Sequence, residues 1–204
     1  MKNFRVALAQ IAPSLGDLER NLALHLEYVD RAVAEGAGVV VFPELSLTGY
    51  LLRDQVPEVA RSLDAPILQR LAAASSAVDI VAGFVEESPE HRFYNSAGYF
   101  AGGRLIHVHR KLYLPTYGML DEGRDFAAGD RLRPFDSPHG RAAMLLCEDL
   151  WHPTSAWLLA QEGAQYLFTL SSGPTRGARP TEGVTTVAVW RRLDGRRPSR
   201  QGRG

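Results

Sequence analysis

The 204-residue sequence predicts an α/β fold on three observations. Strand-like and helix-like runs alternate from the start. Val39-Val40-Val41-Phe42 is an unbroken apolar strand of the kind covered on both faces, and Gly102-Gly103 parts two strand-like runs as a hairpin turn. In chain order, Phe4 to Gln10 is a β-rich run. Asn21 to Glu35 carries Leu22, Leu26, Val29 and Val33 at helical spacing and stops near Gly36. After the apolar strand, a second helical stretch, Ala65 to Ala77, leads to a strand from Ile80 to Glu86. Phe93 to Phe100 and Arg104 to His109 are the two arms of the hairpin. Leu112 to Arg133 is expected to be one long loop with no regular element, rich in Tyr, Pro, Gly and charge, and long loops in compact domains commonly carry function. Arg141 to Cys147 reads as an apolar strand ending in the cysteine, Thr154 to Gln161 as a helix and Tyr166 to Leu170 as a strand; no solenoid-type repeat is present.

Composition narrows the function. With 45% hydrophobic and 23% charged residues the chain has enough apolar material for one domain with a sizeable core. The formal net charge is zero, so nothing calls for nucleic acid, an anionic membrane or an acidic partner, and a small-molecule substrate is expected. One cysteine excludes an internal disulfide framework, and no clustered Cys/His spacing suggests a metal site. Met1-Lys2-Asn3-Phe4 runs into the first strand without an apolar signal core, and no stretch approaches the roughly 18 apolar residues of a membrane span. A reducing, cytoplasmic location is the expectation.

Three short motifs could carry chemistry. The chain has two lysines, Lys2 and Lys111, against 21 arginines. A lysine kept in His109-Arg110-Lys111 is notable because an ammonium is a compact charge that can be aimed at one oxygen, whereas guanidinium is a delocalised fork. Cys147 ends an apolar strand and is followed by Glu148-Asp149-Leu150-Trp151. A lone cysteine can be an inert small hydrophobe. At the carboxyl end of a strand in an α/β fold, however, it stands where such folds place their sites, and the following turn can offer N–H groups to an oxyanion. Glu44, in Phe42-Pro43-Glu44-Leu45-Ser46, lies just past the buried strand. Alone it would be a solvated loop carboxylate. Beside Cys147 it can act as the base that takes the thiol proton and later activates water, while Lys111 favours thiolate and steadies charge on a substrate oxygen. His107, His109 and His152 have no group to orient them toward a Cys-His pair, and alternate histidines on a strand simply share a face. Ser171-Ser172-Gly173-Pro174 reads as a turn, since no GxxxxGK[ST] loop or helix-opening GxGxxG exists.

Pro43-Glu44, Arg110-Lys111 and Cys147-Glu148-Asp149, in this order, resemble the nitrilase or carbon–nitrogen hydrolase superfamily, and the likeness runs from Arg5 to about Arg192. The resemblance implies an α-β-β-α sandwich and assembly as a homo-oligomer. It makes Glu44 the base, Lys111 the transition-state cation and Cys147 the nucleophile, and it places the family's additional glutamate on Glu122. Pocket walls and substrate contacts fall to Tyr117, Glu148 and Trp151. The implied reaction needs no cofactor: a small amide, or else a nitrile or carbamoyl compound, is cleaved through a cysteine thioester. LPTYGMLDEGRDF with CEDLW is also similar to the glutamine-hydrolysing domain of glutamine-dependent NAD synthetases. Their ATP-pyrophosphatase loop is absent, so an amidase is preferred to a nitrilase and synthesis of NAD is not expected.

From Arg176 to Gly204 there are eight arginines against Glu182 and Asp194, and the end, GRRPSRQGRG, holds no apolar residue. That composition predicts a disordered Arg-rich tail over 193–204, and the resemblance implies a carbon–nitrogen hydrolase domain over 1–192 that is incomplete at its C-terminus. A truncation or reading-frame change near Trp190 to Arg197 is expected, leaving apolar sheet surface and an unpaired edge. The competing reading is a catalytically inactive fragment or a scaffolding subunit.

Overall fold

A computed structural model of the chain describes residues 3–118 and 120–173. The chain divides between Ser172 and Gly173, and the architecture is that of the first unit. The expected Arg-rich tail and the proposed break near Trp190 lie outside the described residues.

Two sheets face each other. The larger has five strands in the order β1 (Val6–Leu8), β2 (Val39–Val41), β3 (Asp79–Glu87), β4 (Phe93–Ala101) and β5 (Arg104–Arg110). β1, β2 and β3 are parallel, while β4 runs antiparallel to both β3 and β5. Gly102 and Gly103 both have positive φ, as a two-residue hairpin turn requires. The smaller sheet has β6 (Phe135–Ser137) antiparallel to β7 (Gly140–Leu146), and β8 (Tyr166–Leu170) parallel to β7.

The strand period of two sorts the side chains into layers. Val40, Ile80, Ala82 and Phe84 pack with Leu22 and Val29 of α1 (Leu18–Ala34) and with Leu68 and Leu71 of α3 (Pro66–Ala74). Val39, Val41, Val81 and Tyr99 point the other way and meet Phe135, Met144, Leu146 and Phe168 of the second sheet. On the outer face of that sheet Ala143 and Leu145 cluster with Leu159 of α5 (Pro153–Gln161). Helices, sheet, sheet, helix is the expected α-β-β-α sandwich.

Several elements depart from the sequence reading. α1 begins at Leu18, ahead of its apolar stripe, because Asp17 caps it and accepts from Arg20 N at 3.1 Å. The expected loop after Leu112 contains a one-turn helix, α4 (Glu122–Asp125), closed by Phe126 N on Glu122 O at 2.9 Å. A 3₁₀ turn at Arg53–Gln55, helix α2 (Val56–Val59) and β6 were not anticipated; each is too short to show a period. The cysteine-bearing strand stops at Leu146, and Cys147 opens a 3₁₀ turn, Cys147–Trp151. No helix among the described residues is long and apolar enough to cross a membrane.

Candidate active site

Glu44 follows β2 on a loop that folds back over the sheet: Phe42 N bonds Val81 O at 2.8 Å and Leu47 N bonds Gly83 O at 3.0 Å. The close approach needs Gly83, since a Cβ there would collide with the backbone of Leu45. The loop is braced from behind. His25, its ring tilted against Phe42, holds Asn21 O through Nδ1 at 2.7 Å and Ser46 Oγ through Nε2 at 2.9 Å. Because the carbonyl can only accept, Nδ1 carries the proton and Nε2 accepts from the serine. Burial holds His25 neutral, with its pKa lowered to about 4. These constraints make Glu44 a 1% exposed carboxylate, not the solvated one that its loop position suggests.

Lys111 extends β5, its N–H bonding Asn95 O at 2.9 Å and its C=O accepting from Gly129 N at 2.7 Å. Its ammonium is fully buried between Glu44 Oε1 and Glu122 Oε1, 2.7 Å from each. Burial alone would drive its proton off, but the two carboxylates more than offset this and the pKa rises, so Lys111 stays charged. Arg110 serves the opposite face, where Glu86 chelates its guanidinium over the Tyr94 ring. Glu122 opens α4 and also accepts from Tyr50 Oη. Burial pushes its pKa up and the Lys111 ammonium partly restrains that rise. Asn95 Nδ2 donates to Glu44 Oε1 at 2.9 Å, and Ser172 N to Glu44 Oε2 at 3.0 Å. Among the described residues, Asn95 Oδ1 and Glu122 Oε2 are buried without a hydrogen-bond partner.

Cys147 sits at φ +44°, a left-handed conformation that a non-glycine residue adopts only when its surroundings impose it. Asp149, with no exposed surface, imposes it. Its Oδ2 accepts from Leu146 N at 3.0 Å and faces His109 Nε2 at 2.8 Å, and its Oδ1 accepts from Leu112 N and Tyr113 N, each at 3.0 Å. The same carboxylate thus fixes the cysteine turn and the backbone just past Lys111. His109 serves Asp149, not the thiol. Ser171 Oγ donates to Cys147 Sγ at 3.5 Å.

The thiol does not ionise as expected from its neighbour Lys111. Burial and the negative charge of Glu44 push its pKa up to about 12, outweighing the opposing pull of Lys111 and Ser171. Cys147 is therefore a thiol at neutral pH and would have to lose its proton to act as a nucleophile.

The structure brings Glu44, Lys111, Glu122 and Cys147 into one electrostatically coupled group. Tyr117 and Glu148 meet at its edge: the Tyr117 hydroxyl donates to Glu148 Oε2 at 2.6 Å, and that bond, aided by burial and the carboxylate charge, pushes the phenol pKa up to about 12. Trp151 ends the same turn, 41% exposed. A cavity of about 310 Å³ adjoins Tyr50 and Glu122, with Leu52, Leu120 and Phe126 in its wall. Asn95 and Tyr50 escaped the sequence reading, which took Ser171 and Ser172 only as part of a turn. A polar Asn95 inside the buried strand Phe93–Ala101 was the one available signal.

The pattern that defines the carbon-nitrogen hydrolases matches residues 5–194. The chain belongs to the carbon-nitrogen hydrolase family. It is 34% identical over 185 residues to a glutamine-dependent NAD(+) synthetase of Thermotoga maritima, covering 88% of this chain and 32% of that one. It is 28% identical over 187 residues to the omega-amidase NIT2 of Mus musculus, covering 85% of this chain and 67% of the relative. The crystal structure of Saccharomyces cerevisiae Nit3, a member of branch 10 of the nitrilase superfamily, superimposes with a TM-score of 0.74 at 26% identity, covering 84% of this chain and 65% of Nit3. The chain thus spans about a third of the length of the NAD(+) synthetase.

Proposed function

We propose that this carbon-nitrogen hydrolase cleaves a small carboxamide, of the glutamine or ω-amide type, to the acid and ammonia through a thioester on Cys147. The observation that carries the reading is the buried Lys111 ammonium held between Glu44 and Glu122 beside the only cysteine of the chain. A carboxylate has about four acceptor positions. Glu44 Oε1 uses two on Lys111 and Asn95, and Oε2 uses one on Ser172 N, so the position left open is on Oε2. That oxygen takes the thiol proton as Sγ bonds to the amide carbon.

The carbonyl oxygen gains negative charge, and Lys111 is the cation that steadies it. The C–N bond then breaks, and the nitrogen leaves as ammonia with the proton held by Glu44. Water next gives a proton to Glu44 while its oxygen adds to the thioester carbon; the C–S bond breaks and the proton returns to sulfur. Glu122, through its unpartnered Oε2, orients the substrate. Glu148 offers a carboxylate to a cationic group on the substrate, such as the α-ammonium of glutamine, with Tyr117 and Trp151 forming the entrance. The names of the relatives, a glutamine-dependent enzyme and an omega-amidase, support an amide over a nitrile or carbamoyl compound. Homo-oligomeric assembly and a cytoplasmic location belong to the same proposal; light scattering and cell fractionation test them.

The experiment is ammonia release from glutamine, other small amides and nitriles by the 204-residue chain. The expected result is release from glutamine or another ω-amide that disappears in Cys147→Ser and weakens in Glu148→Gln for substrates bearing an α-ammonium. Release that survives Cys147→Ser would overturn the mechanism. A cooperatively folded chain that releases nothing from any amide would favour the scaffolding reading instead.

A further inference from the structure

We infer that Ser171 is a further catalytic residue of this site: its hydroxyl donates to Sγ of Cys147 and stabilises the sulfur as the thiol proton passes to Glu44. This rests on the reading of Cys147 as the nucleophile. A buried thiol that must ionise during attack needs a hydrogen-bond donor for the charge that develops on sulfur. Lys111 is the obvious candidate, but two of its three N–H groups go to carboxylates at 2.7 Å and the third is the one that steadies the substrate oxygen. Among the described residues, the polar group in hydrogen-bond contact with Sγ is Ser171 Oγ, at 3.5 Å. The bond is weak to a neutral thiol and strengthens as sulfur becomes anionic, which is the differential interaction that catalysis requires. Ser171 keeps its own proton throughout.

Its placement strengthens the case. Ser171 directly follows β8, and the next residue, Ser172, gives its N–H to Glu44 Oε2 at 3.0 Å. Two consecutive residues therefore address nucleophile and base, fixing one against the other. Since β8 runs parallel to the cysteine-bearing β7, with Leu146 opposite Leu170, the strand register delivers Ser171 to the cysteine.

The test reads the thiol directly and needs no substrate. Cys147 is the only cysteine in the chain, so alkylation by iodoacetamide, read as the mass gained by the Cys147 peptide, reports on one thiol. Its rate is measured against pH for the wild type, Ser171→Ala, and the pair Ser171→Thr and Ser171→Val, which share a shape and differ in the hydroxyl. Loss of the hydroxyl in Ala and Val should slow alkylation at neutral pH roughly tenfold and move the pH profile upward, while Thr restores it. Alkylation of Ala and Val at the wild-type rate, or of Thr as slowly as Val, would overturn the assignment. Thermal unfolding checks each variant, and if Ala does not fold the Thr/Val pair decides. A chain with the expected alkylation profiles but no amide hydrolysis sinks the proposed activity and leaves Ser171 standing; hydrolysis with unchanged profiles sinks Ser171 alone.

Discussion

Glu44, Asn95 and Lys111 hang from the ends of the five-stranded sheet, whereas Cys147 and Ser171 hang from the three-stranded one, and the two sets are chemically unlike. The larger sheet supplies charges that largely neutralise one another before any substrate arrives. The smaller supplies a neutral thiol and a hydroxyl at the end of an apolar strand. In the middle of the interface the contact is hydrophobic, Val39, Val41 and Tyr99 against Phe135, Met144 and Phe168. At the site end it becomes polar, through Asp149 to Leu112, Tyr113 and His109, and through Ser172 to Glu44. On the proposed reading, catalytic alignment in this chain is a matter of how two sheets are tied together.

The comparison breaks most completely where the two halves meet the substrate. Cys147→Ala and Lys111→Met should each lower ammonia release by on the order of 10⁴-fold or more, because either leaves only half of a unit that acts together. They should differ in stability. Lys111→Met strands two buried carboxylates and should cost about 3–5 kcal/mol in denaturant unfolding, whereas Cys147→Ala removes one small group. Equal stabilities would mean that the ion network is not closed as described.

The tie between the sheets is the next target. Asp149→Ala leaves three backbone N–H groups and His109 without their acceptor. A loss of about 2–4 kcal/mol is expected, with a larger fall in kcat than in KM as Cys147 drifts from the base. Gly83→Ala acts on the other side by pushing out the Glu44 loop, and should reduce activity with a smaller loss of stability; an unchanged rate would show that the loop tolerates displacement.

The smallest effects are in pH dependence, and there the two sheets diverge in sign. His25 on α1 and His107 in β5 of the larger sheet are held neutral chiefly by burial, their pKa values lowered from 6.5 to about 4. A base with a lowered folded pKa contributes stability that is present above its unfolded pKa and is lost as pH falls, here from 6.5 through about 4. Cys147 on the smaller sheet is raised from 9.0 to about 12, so its share is present below about pH 9 and is lost as pH rises toward 12. Unfolding of the wild type, His25→Gln and Cys147→Ala across pH should flatten the acid limb in the first variant and part of the alkaline limb in the second. Lys111 contributes to the alkaline limb in the same direction, so only the difference from Cys147→Ala is diagnostic.

Glu44, Lys111 and Cys147 were readable because each stands where an apolar or alternating strand gives out, next to a short motif. The sandwich followed from the family resemblance, and the unbroken apolar run Val39–Val41 announced a strand covered on both faces. What lay beyond reach were contacts between residues distant in sequence. Ser172 meets Glu44 across 128 positions and Asn95 meets it across 51, and neither has a local pattern to announce it. The ionisation state of Cys147 was also hidden, because a neighbouring cation is visible in sequence while the depth of burial that outweighs it is not. Asp149 could be read as a strand-end residue, but its link to Leu112 and Tyr113 exists only once the two sheets are stacked.

The enclosure of Lys111 has a use beyond chemistry on substrates. With two lysines in the whole chain and the ammonium of one shut between carboxylates, an amine-reactive label should reach Lys111 only when the ion network comes apart. The rate at which that peptide gains mass in native buffer is then a clock for spontaneous opening of the site, readable by mass spectrometry and carried by the protein's own composition.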